Sequence, residues 1–344
     1  MRLAALAAAF LLAFAPSAAA QTAPPPAPGA GSGSGDQRVT FGVRPATATA
    51  PDNRASFGYG ATPGAIVKDF VAVSNVGNNP VTLKIYASDA FNTPEGGFDL
   101  LAAGKPSVDV GNWTKPERGS VALAPRSVAI VPFTLTIPAN ATPGDHAAGI
   151  VAALTTEQTG ANGQKVSVEQ RVGARIYLRV TGDLTPRLSI TGLTGSYTGK
   201  PLGRGDATVS YTVRNTGNTR LSGTQRVSVS TPWGSTVDSE ALPPVPELLP
   251  GGLVKVTTTV HGLLPAGWLD ALVHVDPAPP AGFADQVQPT EETTTLSAVP
   301  WLPLGALLVL LLGILALVLV RRRRRRGAPA AVVEEEVTEH AGVS

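Results

Sequence analysis

Apolar and polar positions alternate along many short runs of this chain. In the run VTLKIYA, which begins at Val81, aliphatic residues take every second position, and Thr82 and Lys84 stand between them. A period of two residues is typical of a strand with one buried face. Similar β-branched runs, bounded by Gly, Pro, Asn or Asp, fill residues 38–182, with a loop-rich insertion over residues 89–126. The pattern predicts a first β-sandwich over residues 38–182.

A second block, residues 183–278, repeats this pattern and shares two signatures with the first. The phrase Asn-x-Gly-Asn ends an alternating run at residues 75–78 and again at residues 215–218. Gly77 and Gly217 tolerate positive φ and Asn side chains bond nearby backbone, so we expect each phrase to connect neighbouring antiparallel strands. A strand, a Pro-containing loop with Gly and another strand follow in both blocks. The sequence therefore predicts an all-β fold with two tandem Ig-like β-sandwich domains; independent use of common turn chemistry is the alternative.

The carboxyl-terminal region contains one long uncharged run, residues 299–320. As a helix it would span about 33 Å, which matches the ~30 Å hydrocarbon core of a bilayer. Trp301 stands where an interfacial aromatic is expected. The arginines that follow are difficult to move across a membrane; they are Arg321, Arg322, Arg323, Arg324, Arg325 and Arg326. We expect a single C-terminal transmembrane α-helix at residues 299–320, then a basic stop and short cytoplasmic tail at residues 321–344.

Three further segments indicate export. Residues 1–20 have the basic start, short apolar run and small-residue end of a cleaved signal peptide. Residues 21–37 form a linker rich in Pro, Gly and Ser. Residues 279–298 are polar and rich in Pro and Thr, which predicts a stalk below the second sandwich. Together with the positive-inside rule, these segments predict a single-pass plasma-membrane protein with extracellular domains, as part of the cell envelope.

Charge and cysteine content exclude several classes of function. The chain has no Cys, so disulfides, thiolate catalysis and Cys-based zinc sites are excluded. The part between the signal peptide and the arginine run carries 20 basic and 21 acidic residues, a formal net charge of −1. Nucleic-acid affinity comes largely from neutralised phosphates, and a near-neutral domain pair lacks that basic surface. We expect no nucleic-acid partner.

The residues form no recognisable catalytic or metal-binding motif. The four histidines are scattered through the chain, and no Gly-x-Ser-x-Gly nucleophile elbow occurs. We therefore predict a protein that is not an enzyme and that needs no cofactor or metal.

One aromatic in the loop-rich insertion is a candidate ligand contact. Trp113 follows, along the insertion, three residues that could share a surface with it: Asp89, Phe91 and Asn92. Exposed aromatic rings beside polar side chains bind sugars or peptides in many sandwich proteins. A tryptophan that fills the sandwich core is the alternative interpretation of Trp113, and it stays open.

Several signatures occur in a fixed order in the first block. These are F-x-V-x-P at residues 41–45, Pro-Gly before the first long strand, V-x-N-x-G at residues 73–77, an A-x-N-T-x-x-G turn at residues 90–97, and a strand that ends in Ile-Pro before a glycine-containing loop. With them, residues 38–182 resemble the peptidoglycan-binding, Ig-like domain of WxL-interacting surface proteins of Gram-positive bacteria. The resemblance implies a surface protein that contacts peptidoglycan and docks another secreted or surface protein.

The sequence thus predicts a non-enzymatic, membrane-anchored cell-surface protein whose first Ig-like domain binds peptidoglycan, another surface protein, or both. An alternative is a chaperone-like assembly factor for exported surface subunits. It is favoured by F-x-V-x-P followed by V-x-N, which also resembles periplasmic pilus chaperones that donate an edge strand to a client. Covalent anchoring by sortase, suggested by Leu-Pro-Leu-Gly at residues 302–305, is disfavoured because the signal lacks Thr and an 18-residue tail follows the arginines.

Overall fold

A computed structural model describes residues 40–159, 164–200 and 203–326. The predicted signal peptide, the linker and the tail beyond residue 326 lie outside the described residues.

The first sandwich is formed by two facing sheets. Its elements are β1 Phe41–Ala46, β2 Phe57–Ala61, β3 Ile66–Asn75, β4 Val81–Asn92, β5 Phe98–Leu100, α1 Val110–Trp113, β6 Thr114–Pro116, β7 Ser120–Leu123, β8 Val128–Thr136, β9 Gly144–Thr159 and β10 Lys165–Val180. One sheet has the order β1-β3-β8-β6, and the other has the order β2-β10-β9-β4-β5, with β7 also paired to β4. The described residues within 38–182 therefore form a sandwich, as the alternation predicts.

The core of the first sandwich lies between these sheets and follows from the period of two. On β4, Val81, Leu83 and Ile85 are buried, while Thr82 and Lys84 are exposed. The buried side chains of the facing strands complete the cluster; the largest are Phe57, Phe133, Leu135, Ile137, Ile150, Ile176 and Leu178. Burial of a side chain of this size stabilises the fold by about 1.5–3 kcal/mol before entropy is counted.

The second sandwich has the same plan. Its strands are β11 Leu188–Thr198, β12 Gly205–Asn215, β13 Leu221–Ser230, β14 Thr236–Asp238, β15 Val245–Leu248, β16 Leu253–Leu263, β17 Gly267–Ala278 and β18 Thr290–Ala298. One sheet has the order β11-β12-β16, and the other has the order β14-β13-β17-β18, with β15 also paired to β13. The succession β1-β3-β8 in the first sandwich thus corresponds to β11-β12-β16 in the second, and β4-β9-β10 corresponds to β13-β17-β18. The predicted fold class, two tandem Ig-like sandwiches, is confirmed.

The Asn-x-Gly-Asn corners occupy matching places, although they do not join paired strands. β3 and β4 belong to different sheets, and so do β12 and β13. Each corner therefore carries the chain across the sandwich, and the prediction of a connection between neighbouring antiparallel strands is wrong. In both corners the first Asn is buried and its side chain bonds the surrounding backbone. Those bonds replace the ladder that a hairpin would supply.

The glycines of these corners have a different role from the predicted one. Neither Gly77 nor Gly217 has a positive φ. A Cβ at Gly217 would collide with the backbone of Thr185 and Arg187, the chain that enters the second sandwich. Glycine is required there because two backbone segments approach closely.

The predicted stalk at residues 279–298 is wrong, because its second half is a strand of the second sandwich. β18 pairs with β17 along Thr290–Ala298, and Leu296 and Ala298 are buried in the core. The polar composition of TEETTTLSA is that of an edge strand with an exposed outer face, on which threonine is well tolerated. The first half also packs on the fold, since the ring of Phe283 lies 3.7 Å from the Arg179 guanidinium carbon.

One long helix, α2 Trp301–Arg326, follows β18 directly. Its segment Trp301–Arg323 contains an 18-residue window with a mean hydropathy of 2.9, and it is long and apolar enough to cross a membrane. The helix begins two residues later than the predicted span and continues through the arginines. A second, four-residue helix, α1, lies in the insertion that the sequence predicts to be rich in loops.

Candidate functional site

The most distinctive surface of the first sandwich is the edge strand β10. Its even-numbered residues face the core side and are mostly aliphatic, whereas charged residues take most of the odd positions. Near its carboxyl end Ala174, Ile176 and Leu178 are buried. Nearer its amino end the same apolar row emerges from the core, so that Val172 is 37% exposed and Val166 is 50% exposed. An apolar row that continues from a core into solvent lacks a cover.

β9 and β10 extend beyond the sheet as a two-stranded ribbon. The two strands pair without a break from Gly144↔Val180 to Thr159↔Lys165. On its other side, however, β9 pairs with β4 only up to Ala153. The ribbon beyond that point is formed by residues 154–159 and 165–170, and Leu154 carries the apolar row on the β9 side.

The outer edge of β10 is also open over most of its length. β2 pairs with it in parallel, but only over Ile176–Val180. Among the described strands, none pairs with that edge over residues 165–175. Unpaired N–H and C=O groups along an edge are a template for a further strand, and exposed edges are normally blocked in stable proteins. The free edge of residues 165–175 with its apolar row is called here the open edge.

A groove marks where the open edge meets β2. It has a volume of about 270 Å³ and lies between β1 and β10. Its lining includes Val43, Arg44 and Ser56 on one side and Gly173 and Arg175 on the other. A strand that extended the line of β2 along β10 would end in this groove.

An ionic network between the sandwiches holds the base of β10. The Arg179 guanidinium donates to both carboxylate oxygens of Asp145, at 2.6 and 2.7 Å, and to Asp285 at 3.0 Å. The Asp145 side chain is only 1% exposed, and its Oδ2 also accepts the backbone N–H of Arg220 at 2.7 Å. The bond from Asp145 raises the pKa of Arg179, so the guanidinium stays charged. These four residues connect β10 and β9 to β13 and to the segment before β18.

Tyr177 and Glu247 extend this network on the opposite side. Tyr177 donates its hydroxyl to Glu247 at 2.7 Å, and Arg220 bonds the same carboxylate at 3.2 Å. The Arg220 guanidinium carbon lies 3.8 Å from the centre of the Tyr177 ring, a cation–π contact. Burial, followed by the bond to Glu247, raises the pKa of Tyr177. We refer to Asp145, Tyr177, Arg179, Arg220, Glu247 and Asp285 as the interdomain network.

Two of the predicted ligand contacts are occupied in holding the backbone. The Asp89 carboxylate is buried and accepts the backbone N–H groups of Val108, Asp109 and Gly111, at 2.6 to 2.9 Å. It therefore fixes the insertion against β4. The Asn92 side chain crosses to the second sandwich, where it donates to the Glu247 carbonyl at 2.9 Å and accepts the Leu249 N–H at 2.8 Å.

The two aromatic candidates lie in different surroundings. Phe91 is 40% exposed, whereas Trp113 is partly buried against the first core. The structure therefore favours the core interpretation of Trp113. The four predicted contacts do not present their polar atoms to one surface, since those of Asp89 and Asn92 are bonded to backbone.

Trp113 also contacts His146, which belongs to a polar pair that the sequence does not reveal. The two ring centres are 5.3 Å apart. His146 Nδ1 lies 2.8 Å from Oδ2 of Asp109, and Nε2 lies 2.8 Å from the Thr142 carbonyl oxygen. Burial lowers the pKa of His146, but the two acceptors outweigh it and raise the pKa above its ordinary value. With an acceptor at each nitrogen the ring suits the doubly protonated form and joins the insertion to β9.

Sequence reasoning did not identify the open edge, although its signal is present. The pattern predicts one ordinary strand in the alternating run KVSVEQRVGARIYLRV. Alternation shows which face of a strand is apolar, but it does not show which edge pairs with another strand. What identifies the edge is the difference in length between β10 and β2. The interdomain network is invisible for a related reason, since its members lie up to 140 residues apart.

No protein-family model matches the chain, and no curated protein sequence matches it. Among solved structures, a chain from the chaperone–tip adhesin complex of CFA/I fimbriae covers 74% of this chain and 98% of its own length, at 10% identity and a TM-score of 0.38. A chain from the CsuC–CsuE chaperone–tip adhesion subunit complex of Acinetobacter baumannii covers 75% and 98%, at 11% identity and a TM-score of 0.33. The class 5 fimbrial chaperone CfaA covers 74% and 99%, at 10% identity and a TM-score of 0.34.

At such identities a likeness concerns the fold alone, and with TM-scores this low we draw no functional inference from it. The resemblance to WxL-interacting proteins stays a prediction.

Proposed function

We propose that this chain is a membrane-anchored protein of the cell envelope that binds an extended segment of another exported protein by strand addition at the open edge. The observation that carries the proposal is the unpaired edge of β10 over residues 165–175, whose apolar row includes the exposed Val166 and Val172 and the half-buried Val168. In strand addition, main-chain hydrogen bonds supply affinity and alternate side chains supply specificity. The open edge offers both.

The chemistry of the partner follows from the row of valines. Val166, Val168 and Val172 continue the core-facing side of β10, so a segment beside them would place every second residue against the same apolar side. Its other residues would face solvent together with Ser167 and Glu169. We infer an extended segment in which apolar and polar residues alternate, about eleven residues long at most, since one added residue pairs with each strand residue.

The rest of the chain supports a binding role outside the cytoplasm. α2 is long and apolar enough to cross a membrane, and the arginines at its end favour an inside location for the tail. The amino-terminal residues have the pattern of an export signal. Together these features support a protein that faces the exterior, the place where the chaperone-like alternative would act.

The proposal can be tested with the full chain in detergent micelles. The probe is a fluorescent peptide of about eleven residues that alternates Val with Ser and Thr, compared with a peptide of the same composition whose valines form one block. We expect saturable binding of the alternating peptide. The double variant Val166→Glu/Val172→Glu should weaken its binding about tenfold or more, because two charges then line the apolar row.

The matched control places the same charges on the opposite side of the ribbon. Thr155 and Ser167 are exposed and lie on the odd-numbered face. Thr155→Glu/Ser167→Glu should leave the affinity within about twofold. Equal binding of both peptides, or equal loss in both double variants, would contradict strand addition.

Peptidoglycan binding, which the WxL resemblance implies, stays a prediction beside this proposal. The placement of Trp113 against the core and the backbone bonds of Asp89 and Asn92 give it no support.

A further inference from the structure

One end of the second sandwich collects the segments that adjoin α2. β18 ends at Ala298, which pairs with Gly267 at the start of β17. The turn after β13 lies at the same end, because Ser230 pairs with Asp270. The loop between β16 and β17 lies there as well, because it leads into Gly267, the first residue of β17. At its start, Leu263 pairs with Gly205, and the Leu263 carbonyl accepts the Tyr197 hydroxyl at 3.2 Å.

This end exposes three large apolar side chains. Trp233 is 63% exposed, Trp268 is 53% exposed and Leu264 is 45% exposed. The turn that carries Trp233 is well defined, because Thr231 and Ser235 bond each other through three contacts of 2.9 to 3.2 Å. Trp268 precedes the buried Leu269 on β17 and therefore points away from the core. Neither tryptophan contributes to the hydrophobic core.

The connection from this end to α2 is very short. Only Val299 and Pro300 separate β18 from the first helical residue, Trp301, and they span about 7 Å at most. The uncharged part of α2, residues 301–320, rises about 30 Å, which is the full thickness of a hydrocarbon core. No residues between β18 and α2 are left to lift the sandwich from the bilayer, since the second half of the predicted stalk is β18 itself.

We propose that the second sandwich docks on the lipid surface, with Trp233 and Trp268 inserted at the headgroup level of the same bilayer that α2 crosses. Tryptophan is enriched at this level because its ring is apolar and its N–H is polar. The inference rests on the membrane anchoring that forms part of the proposed function. Docking of this kind would fix the height of both sandwiches, and with it the distance of the open edge from the membrane.

The charges of this end are compatible with a lipid surface. Lys200 and Arg204 are exposed there, and Arg204 donates to the Gly262 carbonyl at 2.8 Å. The nearby Asp206 carboxylate lies 3.1 Å from Nδ1 of His261. A groove of about 400 Å³ at this end is lined by Lys200, Pro265 and the first turn of α2.

The test uses tryptophan fluorescence of the full chain in lipid vesicles. The chain has four tryptophans, one in the first sandwich, two at the docking end and one at the start of α2. Replacement of three by Phe leaves each of them in turn as the sole reporter, and far-UV circular dichroism checks that each variant folds. The vesicles contain phosphatidylcholine and phosphatidylglycerol, brominated near the headgroup or at mid-chain. We expect headgroup-level bromine to quench Trp233 and Trp268 to within about twofold of Trp301.

Trp113, which packs on the first core, is the internal control and should be quenched little by either lipid. Unquenched Trp301 would contradict the membrane anchoring itself. Quenched Trp301 with unquenched Trp233 and Trp268 would overturn the docking inference while leaving the anchoring intact. Vesicles without phosphatidylglycerol separate the effect of lipid charge from that of the tryptophan rings. Docking by the rings should persist in phosphatidylcholine alone, so the quenching of Trp233 and Trp268 should remain.

Discussion

Asn75 and Asn215 act alike at the corners of the two sandwiches. Asn215 donates to the carbonyls of Thr219 and Leu248, at 2.7 and 2.9 Å, and its Oδ1 accepts the Gly217 N–H at 3.0 Å. Asn75 makes the corresponding bonds to Asn79, Ala124 and Gly77. One buried amide thus bonds a tight turn to a neighbouring strand, and no other side chain offers two donors and an acceptor of this size.

Asn215→Ala should destabilise the protein substantially. The variant leaves the carbonyls of Thr219 and Leu248 without these donors in a buried site, and each unmet acceptor costs about 1–3 kcal/mol. We expect the free energy of unfolding to fall by roughly 2–4 kcal/mol in denaturant titrations. The control is Asn78→Ala, in the equivalent phrase of the first sandwich. Asn78 is exposed, and its side chain accepts hydrogen bonds from the exposed Arg126, so a change above about 0.5 kcal/mol there would undermine the explanation.

At the scale of elements, β18 is a strand of the second sandwich, although its polar composition is typical of a linker. Leu296 is 2% exposed and packs against Gly195, where a Cβ would collide with it. Leu296→Ala should lower the free energy of unfolding by about 2–5 kcal/mol, the range for a buried leucine. A stalk residue would show almost no change. The neighbouring Ser297→Ala, on the exposed face, should stay within about 0.5 kcal/mol in the same titration.

The sequence predicts best those elements whose secondary structure follows from the spacing of their own apolar residues. Alternation on β4, and the long apolar run of α2, need only local residues, so both follow from the printed sequence. β18 fails this test because its outer face consists of Thr and Glu, and only its pairing with β17 shows that it is a strand. The open edge fails it because pairing depends on where β2 stops. Asp89 and Asn92 lie where a ligand site is conceivable, but their partners are backbone groups distant in sequence.

At the scale of the whole molecule, the interdomain network determines how the sandwiches are held together. Asp145 lies at its centre, since its carboxylate accepts bonds from Arg179 and from the backbone of Arg220. The side chains of Arg179 and Arg220 are 12% and 9% exposed, so both charges depend on protein partners. Removal of one partner from a buried ion pair typically costs about 3–5 kcal/mol.

Asp145→Asn should therefore loosen the two sandwiches while each keeps its own core. The chain has no Cys, so Thr82→Cys and Thr224→Cys provide unique spin-label positions, both exposed, one in each sandwich. Pulsed electron resonance should give a narrow distance distribution for the otherwise unchanged chain and a broad one for Asp145→Asn, because the buried Arg220 of the second sandwich loses its charged partner in the first. Asp52→Asn is the control, since Asp52 pairs with Arg54 at the surface of the first sandwich alone. An equally narrow distribution in Asp145→Asn would mean that the sandwiches are held by other contacts.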